Sequence, residues 1–116
     1  MKITKAYFTL MVKDMPRAAG FWQKAFAMES RSSSDSVTEL AWGATILALQ
    51  AGGTSHFTQT GLGLEVDDLK GACAAVKGAG GQIVMPAVFK QAEGIQIAQV
   101  ADTEGNRFSL VQSMRR

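Results

Sequence analysis

A chain of 116 residues with a hydrophobic fraction of 47% is long enough for one domain with a real core, and its length argues against a second domain. Its net charge of +2 is small and its lysines and arginines are scattered, with only Arg115-Arg116 locally basic, which argues against a nucleic-acid surface. A single cysteine excludes an internal disulfide, and the opening apolar run is broken by Lys13, too short for a signal peptide or a membrane span, so a soluble cytoplasmic protein is expected.

The first element is a strand over Tyr7 to Val12, where Phe8, Leu10 and Val12 alternate with Tyr7, Thr9 and Met11. Asp14 is placed to cap a helix, and Pro16 falls in its first turn, where a missing N–H costs nothing. Ala18, Phe21, Trp22, Ala25 and Phe26 form the apolar stripe, so Trp22 reads as core. Met28 to Ser30 reads as a short strand, and Arg31 to Ser36 as a polar hairpin tip. Val37 to Trp42 and Thr45 to Gln50 read as strands around a tight Gly43-Ala44 turn. Ala51 to Thr60 is a polar connection carrying His56, the only histidine, which reads as a solvated loop residue.

From Gly61 the pattern starts again. Leu62, Leu64 and Val66 alternate with Gly61, Gly63 and Glu65. Asp67 and Asp68 then open a helix whose stripe is Leu69, Ala72, Cys73 and Val76, and which stops on Gly78, Gly80 and Gly81. Cys73 on that stripe reads as core rather than as a reactive thiol. Gln82 to Met85 is a strand that Pro86 ends or edges, and a further piece covers Val88 to Lys90. After a turn at Gln91 to Gly94, Ile95 to Val100 and Arg107 to Val111 are strands around a turn at Asp102 to Asn106.

The two halves keep one register. Tyr7 aligns with Gly61, Phe8, Leu10 and Val12 with Leu62, Leu64 and Val66, Asp14 with Asp68, and Trp22 with Val76. The chain therefore reads as an internal duplication within a single α+β domain. Module one covers residues 1–51, a linker covers 52–60, and module two covers 61–116, each module being β-α-β-β-β. Copy two is longer between its helix and its last strand.

This order of motifs resembles the vicinal oxygen chelate superfamily, which includes glyoxalase I, extradiol dioxygenases and the fosfomycin- and bleomycin-resistance proteins. Four stretches carry the resemblance: Tyr7 to Asp14 with Ala18 and Phe21-Trp22; Phe26-Ala27-Met28-Glu29; Leu64 to Asp68; and Asp102-Thr103-Glu104-Gly105-Asn106 followed by Phe108 and Leu110. Ala27 and Thr103 stand where that family usually has glycine and proline. The resemblance implies two modules whose strands curl into one cupped mixed sheet, a homodimer, and a divalent metal inside the cup. The implied metal-ligand positions fall on Tyr7, Ala48, Gly61 and Ser109, and none of these is a good ligand for a divalent ion, so no metal and no cofactor are expected.

Parity gives the rest of the cup wall. Thr9 and Met11 follow Tyr7, Gly63 and Glu65 follow Gly61, Ile46 and Gln50 flank Ala48, and Arg107 and Val111 flank Ser109. Small, apolar and polar groups in this mixture suit an organic ligand held by shape and a few hydrogen bonds. The expected ligand-binding residues are Tyr7, Thr9, Trp42, Gln50, Gly61, Gly63, Glu65, Arg107 and Ser109, with Tyr7 and Trp42 stacking on a planar group. Other roles stand beside these: Tyr7 as filler of the vacated metal position, Trp42 facing a neighbour, Glu65 paired with Arg107. Three functions compete. One is a metal-free small-molecule binding protein of the drug-sequestering kind. The second is a lyase or dioxygenase with a displaced metal site that uses His56, Glu65 or Glu39. The third is an interaction module with a vestigial cup. The ligand itself is not named by the sequence.

Overall fold

The computed structural model describes residues 1–114. Module one contains β1 (Phe8–Val12), α1 (Met15–Phe26), β2 (Glu29–Ser33), β3 (Val37–Trp42) and β4 (Thr45–Ala51). Module two contains β5 (Thr58–Glu65), α2 (Leu69–Gly78), β6 (Gln82–Lys90), β7 (Ile95–Ala101) and β8 (Asn106–Ser113). Each module folds into its own four-stranded mixed sheet, in the orders β1-β4-β3-β2 and β5-β8-β7-β6, and among the described residues no ladder joins the two. In each, the first strand runs parallel to the last and the other pairs are antiparallel. The duplicated α+β architecture read from the sequence is the one observed.

Several element boundaries differ from the sequence reading. β2 continues to Ser33, because Ser30 to Ser33 find partners along β3 across a bulge. β5 starts at Thr58, since Thr58 and Gln59 pair with Asn106 and Arg107 before the strand bulges at Gly61 (φ 78°). β6 is one strand through Pro86 rather than two. It lies at a sheet edge and carries two bulges around Met85, so the missing proline N–H breaks no ladder bond.

Local chemistry fixes both helices. Asp14 accepts from the Arg17 amide at 3.1 Å and Asp68 from the Gly71 amide at 3.0 Å, which caps orphan N–H groups at each start. α1 stops on Ala27 in the left-handed region (φ 55°), a conformation usually given to glycine. α1 lies against β3 and β4, α2 lies against β6, β7 and β8, and the helices touch each other. The Cα extents are 43 × 37 × 22 Å, so the molecule is one helix layer on one sheet layer, and each sheet keeps its other face open.

The strand faces follow the parity read from the sequence. Leu10 is buried, and Phe8, Leu62 and Leu64 pack against the core, whereas Thr9 and Gly63 are exposed. Trp22 is fully buried, with ring centroids 4.8 Å from Phe108 and 5.5 Å from Phe26, so one aromatic group spans both modules. Cys73 is packed against the core but only half-buried, and its burial pushes the thiol up, away from the reactive thiolate.

Candidate functional site

The two modules meet at two related junctions, each formed by a hairpin of one module facing the helix start of the other. At the first, the turn Asp102 to Asn106 meets the N-terminus of α1. Asp102 takes the Glu104 and Asn106 amides on Oδ1 and the Trp22 indole N–H on Oδ2, at 2.8, 2.9 and 3.3 Å. Asn106 Nδ2 donates to the Met11 carbonyl at 3.0 Å. The Glu104 side chain is fully buried. It accepts from the Lys13 and Asp14 amides, from Ser55 Oγ at 3.0 Å and from the Arg17 guanidinium at 2.8 Å. Gly105 makes the turn possible: its φ is +79°, and a Cβ there would lie 2.8 Å from the His56 carbonyl oxygen.

These partners set two opposite shifts. Burial pushes the Asp102 carboxyl up, and its hydrogen bonds only partly offset that. Burial also pushes Glu104 up, but the Lys13 amide, Arg17, the Asp14 amide and Ser55 outweigh it, so its carboxyl sits below the ordinary glutamate value. A hollow of about 590 Å³ lies at this junction, lined by Lys13 to Arg17 and Ser55. The Lys13 and Asp14 amides, Arg17 and Ser55 in its lining all donate to Glu104, so the junction acts as a latch between modules.

The second junction is open. Here the β3–β4 hairpin, with its two-residue Gly43-Ala44 turn, faces the C-terminal half of β5 and the start of α2. Between them is a cleft of about 760 Å³. Phe26 and Met28 form one wall with Trp42 and Thr45, and Leu62 to Asp67 with Gln112 and Ser113 form the other. Trp42 is 64% exposed, an unusual state for an indole in so small a protein.

Of the expected ligand-binding residues, the cleft gathers Trp42, Gly63 and Glu65. Tyr7, Thr9 and Gln50 stand elsewhere, on the open face of the first sheet, where Thr9 and Glu39 both flank Ala48. Lys5 pairs there with Glu39 at 2.7 Å and lies 5.6 Å from the centre of the Tyr7 ring. Trp42 has the parity of buried Leu40 and lies on the helix side of β3, so it does not share a wall with Tyr7. Ser109 and Arg107 occupy the open face of the second sheet, while Gly61 sits in the β5 bulge. Glu65 forms no ion pair with Arg107 among the described residues, because β5 carries it to the cleft instead.

Gln99 was missed by the sequence reading. It donates to Ser109 Oγ at 2.7 Å, while its own Oε1 and the Arg107 Nε are buried without a partner. The signal was present: Gln99 is a polar residue at the open-face parity of β7, where Ile95, Ile97 and Ala101 are apolar.

The four metal-ligand positions do not fit a divalent ion. They offer a phenol, a methyl group, a glycine and a serine hydroxyl, and that hydroxyl is already bonded to Gln99. Among the described residues no group of three or more His, Cys, Asp or Glu side chains lies close enough together to hold one. The displaced-site candidates occupy three separate environments. His56 bonds Thr54 at 2.8 Å in the linker, Glu39 is paired with Lys5, and Glu65 lines the cleft.

Comparison with known proteins agrees with this architecture. The glyoxalase-like domain profile matches residues 7–111. No curated protein matches the sequence. The genomically encoded fosfomycin resistance protein FosX from Listeria monocytogenes is similar in fold, with TM-score 0.81, 16% identity, 97% of this chain covered and 95% of that one. A glyoxalase-related enzyme from Fulvimarina pelagi has TM-score 0.78 and 18% identity over 96% of this chain and 89% of its own. A glyoxalase I mutant from Zea mays has TM-score 0.75 and 22% identity, covering 90% of this chain and 44% of its own. At these identities the likeness is one of fold.

Proposed function

The chain belongs to the glyoxalase-like domain family, and from that premise we propose that it is a metal-independent binding protein for a planar organic molecule, which it holds in the cleft at the second junction. The observation that carries this reading is Trp42, an exposed indole facing a cleft of drug-like size with a mostly apolar wall. Gly63 leaves room beside it, and Glu65 supplies a polar group at one side. The chemistry of the Tyr7, Ala48, Gly61 and Ser109 set supports metal independence. Turnover of the methylglyoxal–glutathione adduct is therefore not expected, since that reaction needs metal-polarised oxygens.

The protein functions as a homodimer in this reading. The open sheet faces expose Tyr7, Met11, Met85 and Val88, and a second copy laid on them would cover apolar surface and bring Tyr7, Thr9, Gln50, Gly61, Arg107 and Ser109 into a closed wall. No helix among the described residues is long and apolar enough to cross a membrane. The single cysteine fits the cytoplasm as its compartment.

A thermal-shift screen of metabolites and antibiotics tests the proposal. A ligand at a hundred times its dissociation constant adds about 2.7 kcal/mol of apparent stability. Hits should weaken in Trp42→Ala. A broad screen without hits, or hits indifferent to Trp42, would favour the interaction-module reading. Elemental analysis finding about one divalent metal per chain, lost on changing Tyr7 or Ser109, would favour an enzyme.

A further inference from the structure

We infer that the cleft selects an organic cation, a reading that rests on the proposed ligand cleft and adds the charge of its occupant. Among the described residues its ionisable lining groups are Glu65 and Asp67, and no lysine, arginine or histidine of that set lines it. Both carboxylates are exposed, and neither forms an ion pair among the described residues. Trp42 lines the same cleft and is largely exposed, and an indole face attracts cations through its quadrupole. An acidic pair and an exposed indole in one cleft are complementary to a planar amine or quaternary ring.

The other junction supplies an internal control. There the protein fills the corresponding place with its own anion, Glu104, and lines it with Arg17 and two backbone amides. In the repeat register Lys13 becomes Asp67 and Arg17 becomes Gly71, and the two-residue Gly43-Ala44 turn carries no acid. The basic lining is thus replaced by acid and the occupying side chain is gone. The N-terminus of α2, whose positive pole would favour an anion, has two of its donors in use: the Leu69 amide bonds Gln112 at 2.8 Å and the Gly71 amide bonds Asp68.

Two tricyclic dyes of opposite charge, cationic acriflavine and anionic fluorescein, test the inference by anisotropy titration at fixed ionic strength. The inference predicts that acriflavine binds at least tenfold more tightly than fluorescein. Glu65→Gln with Asp67→Asn should cost roughly tenfold in acriflavine affinity, with the melting temperature unchanged, because both side chains are solvent-facing. Equal affinities, or an unchanged acriflavine constant in the double variant, would overturn the cation inference; if Trp42→Ala still weakens both dyes, the cleft itself stands as the binding site. If neither dye binds, or both are indifferent to Trp42→Ala, the cleft reading fails together with the inference.

Discussion

The two junctions of this molecule descend from one repeat and have opposite characters. At the first, a longer turn inserts Asp102, Glu104 and Asn106 into the neighbouring module, and every buried polar group of the three side chains meets a partner there. At the second, a two-residue turn ends short, and the space facing it is an open cleft walled by Trp42 and Glu65. One junction holds the halves together, and that leaves the other free of the same duty. In the proposed reading, a duplicated fold divides stability and binding between two equivalent places, through a few residues of hairpin length and charge.

The largest effect that would break this comparison is at the latch. Glu104→Ala leaves two backbone amides and Arg17 without their acceptor at a site where the Glu104 side chain is fully buried, and should cost about 3 kcal/mol in urea denaturation. A loss below about 1 kcal/mol would remove the distinction between the junctions.

Glu104→Gln should cost less, about 2 kcal/mol at neutral pH, and its dependence on pH carries the sign. Glu104 is held below its ordinary value of 4.5, so it contributes stability that is present above 4.5 and disappears as pH falls through the lower folded value. The gap between Glu104→Gln and the parent should therefore close in acid. Asp102 has the opposite sign, since its folded value is raised from 3.8: its contribution is present below 3.8 and lost as pH rises through the folded value. A gap that widens in acid would contradict the assignment of Glu104 as the ionised member.

The helix ends extend the comparison on a smaller scale. α1 stops on Ala27 in the left-handed region, whereas α2 stops on Ala79 at φ −90° and leaves the positive φ to Gly80. Ala27→Gly should stabilise the protein by up to about 1 kcal/mol, seen as a higher denaturation midpoint. Smallest of all is the cost at the open junction: Trp42→Ala should change the unliganded stability by less than about 0.5 kcal/mol while weakening a bound ligand as much as tenfold.

Much of this fold was legible because its signals are local and repeated. Apolar alternation at Phe8 to Val12 and again at Leu62 to Val66, with an aspartate cap after each, reports strand and helix together. Pro86 left two readings open, a strand end or an edge, because sequence does not say which strand is an edge, and only an edge tolerates a proline in mid-strand. The site was harder. Parity sorted Thr9 from Leu10 but said nothing about which open faces meet, so Tyr7 and Trp42 seemed partners although Trp42 leaves the sheet on the helix side. The latch stayed hidden for the same reason: Glu104 meets Lys13 and Arg17 across most of the chain, a pairing that no local pattern encodes.

The most direct test of the account is a crystal structure of the protein purified straight from its native cells without chelators. The account predicts an ordered organic molecule against Trp42 in the second junction, and no metal density among Tyr7, Ala48, Gly61 and Ser109. A metal held at those four positions, with the Trp42 cleft filled by the protein's own side chains, would contradict it.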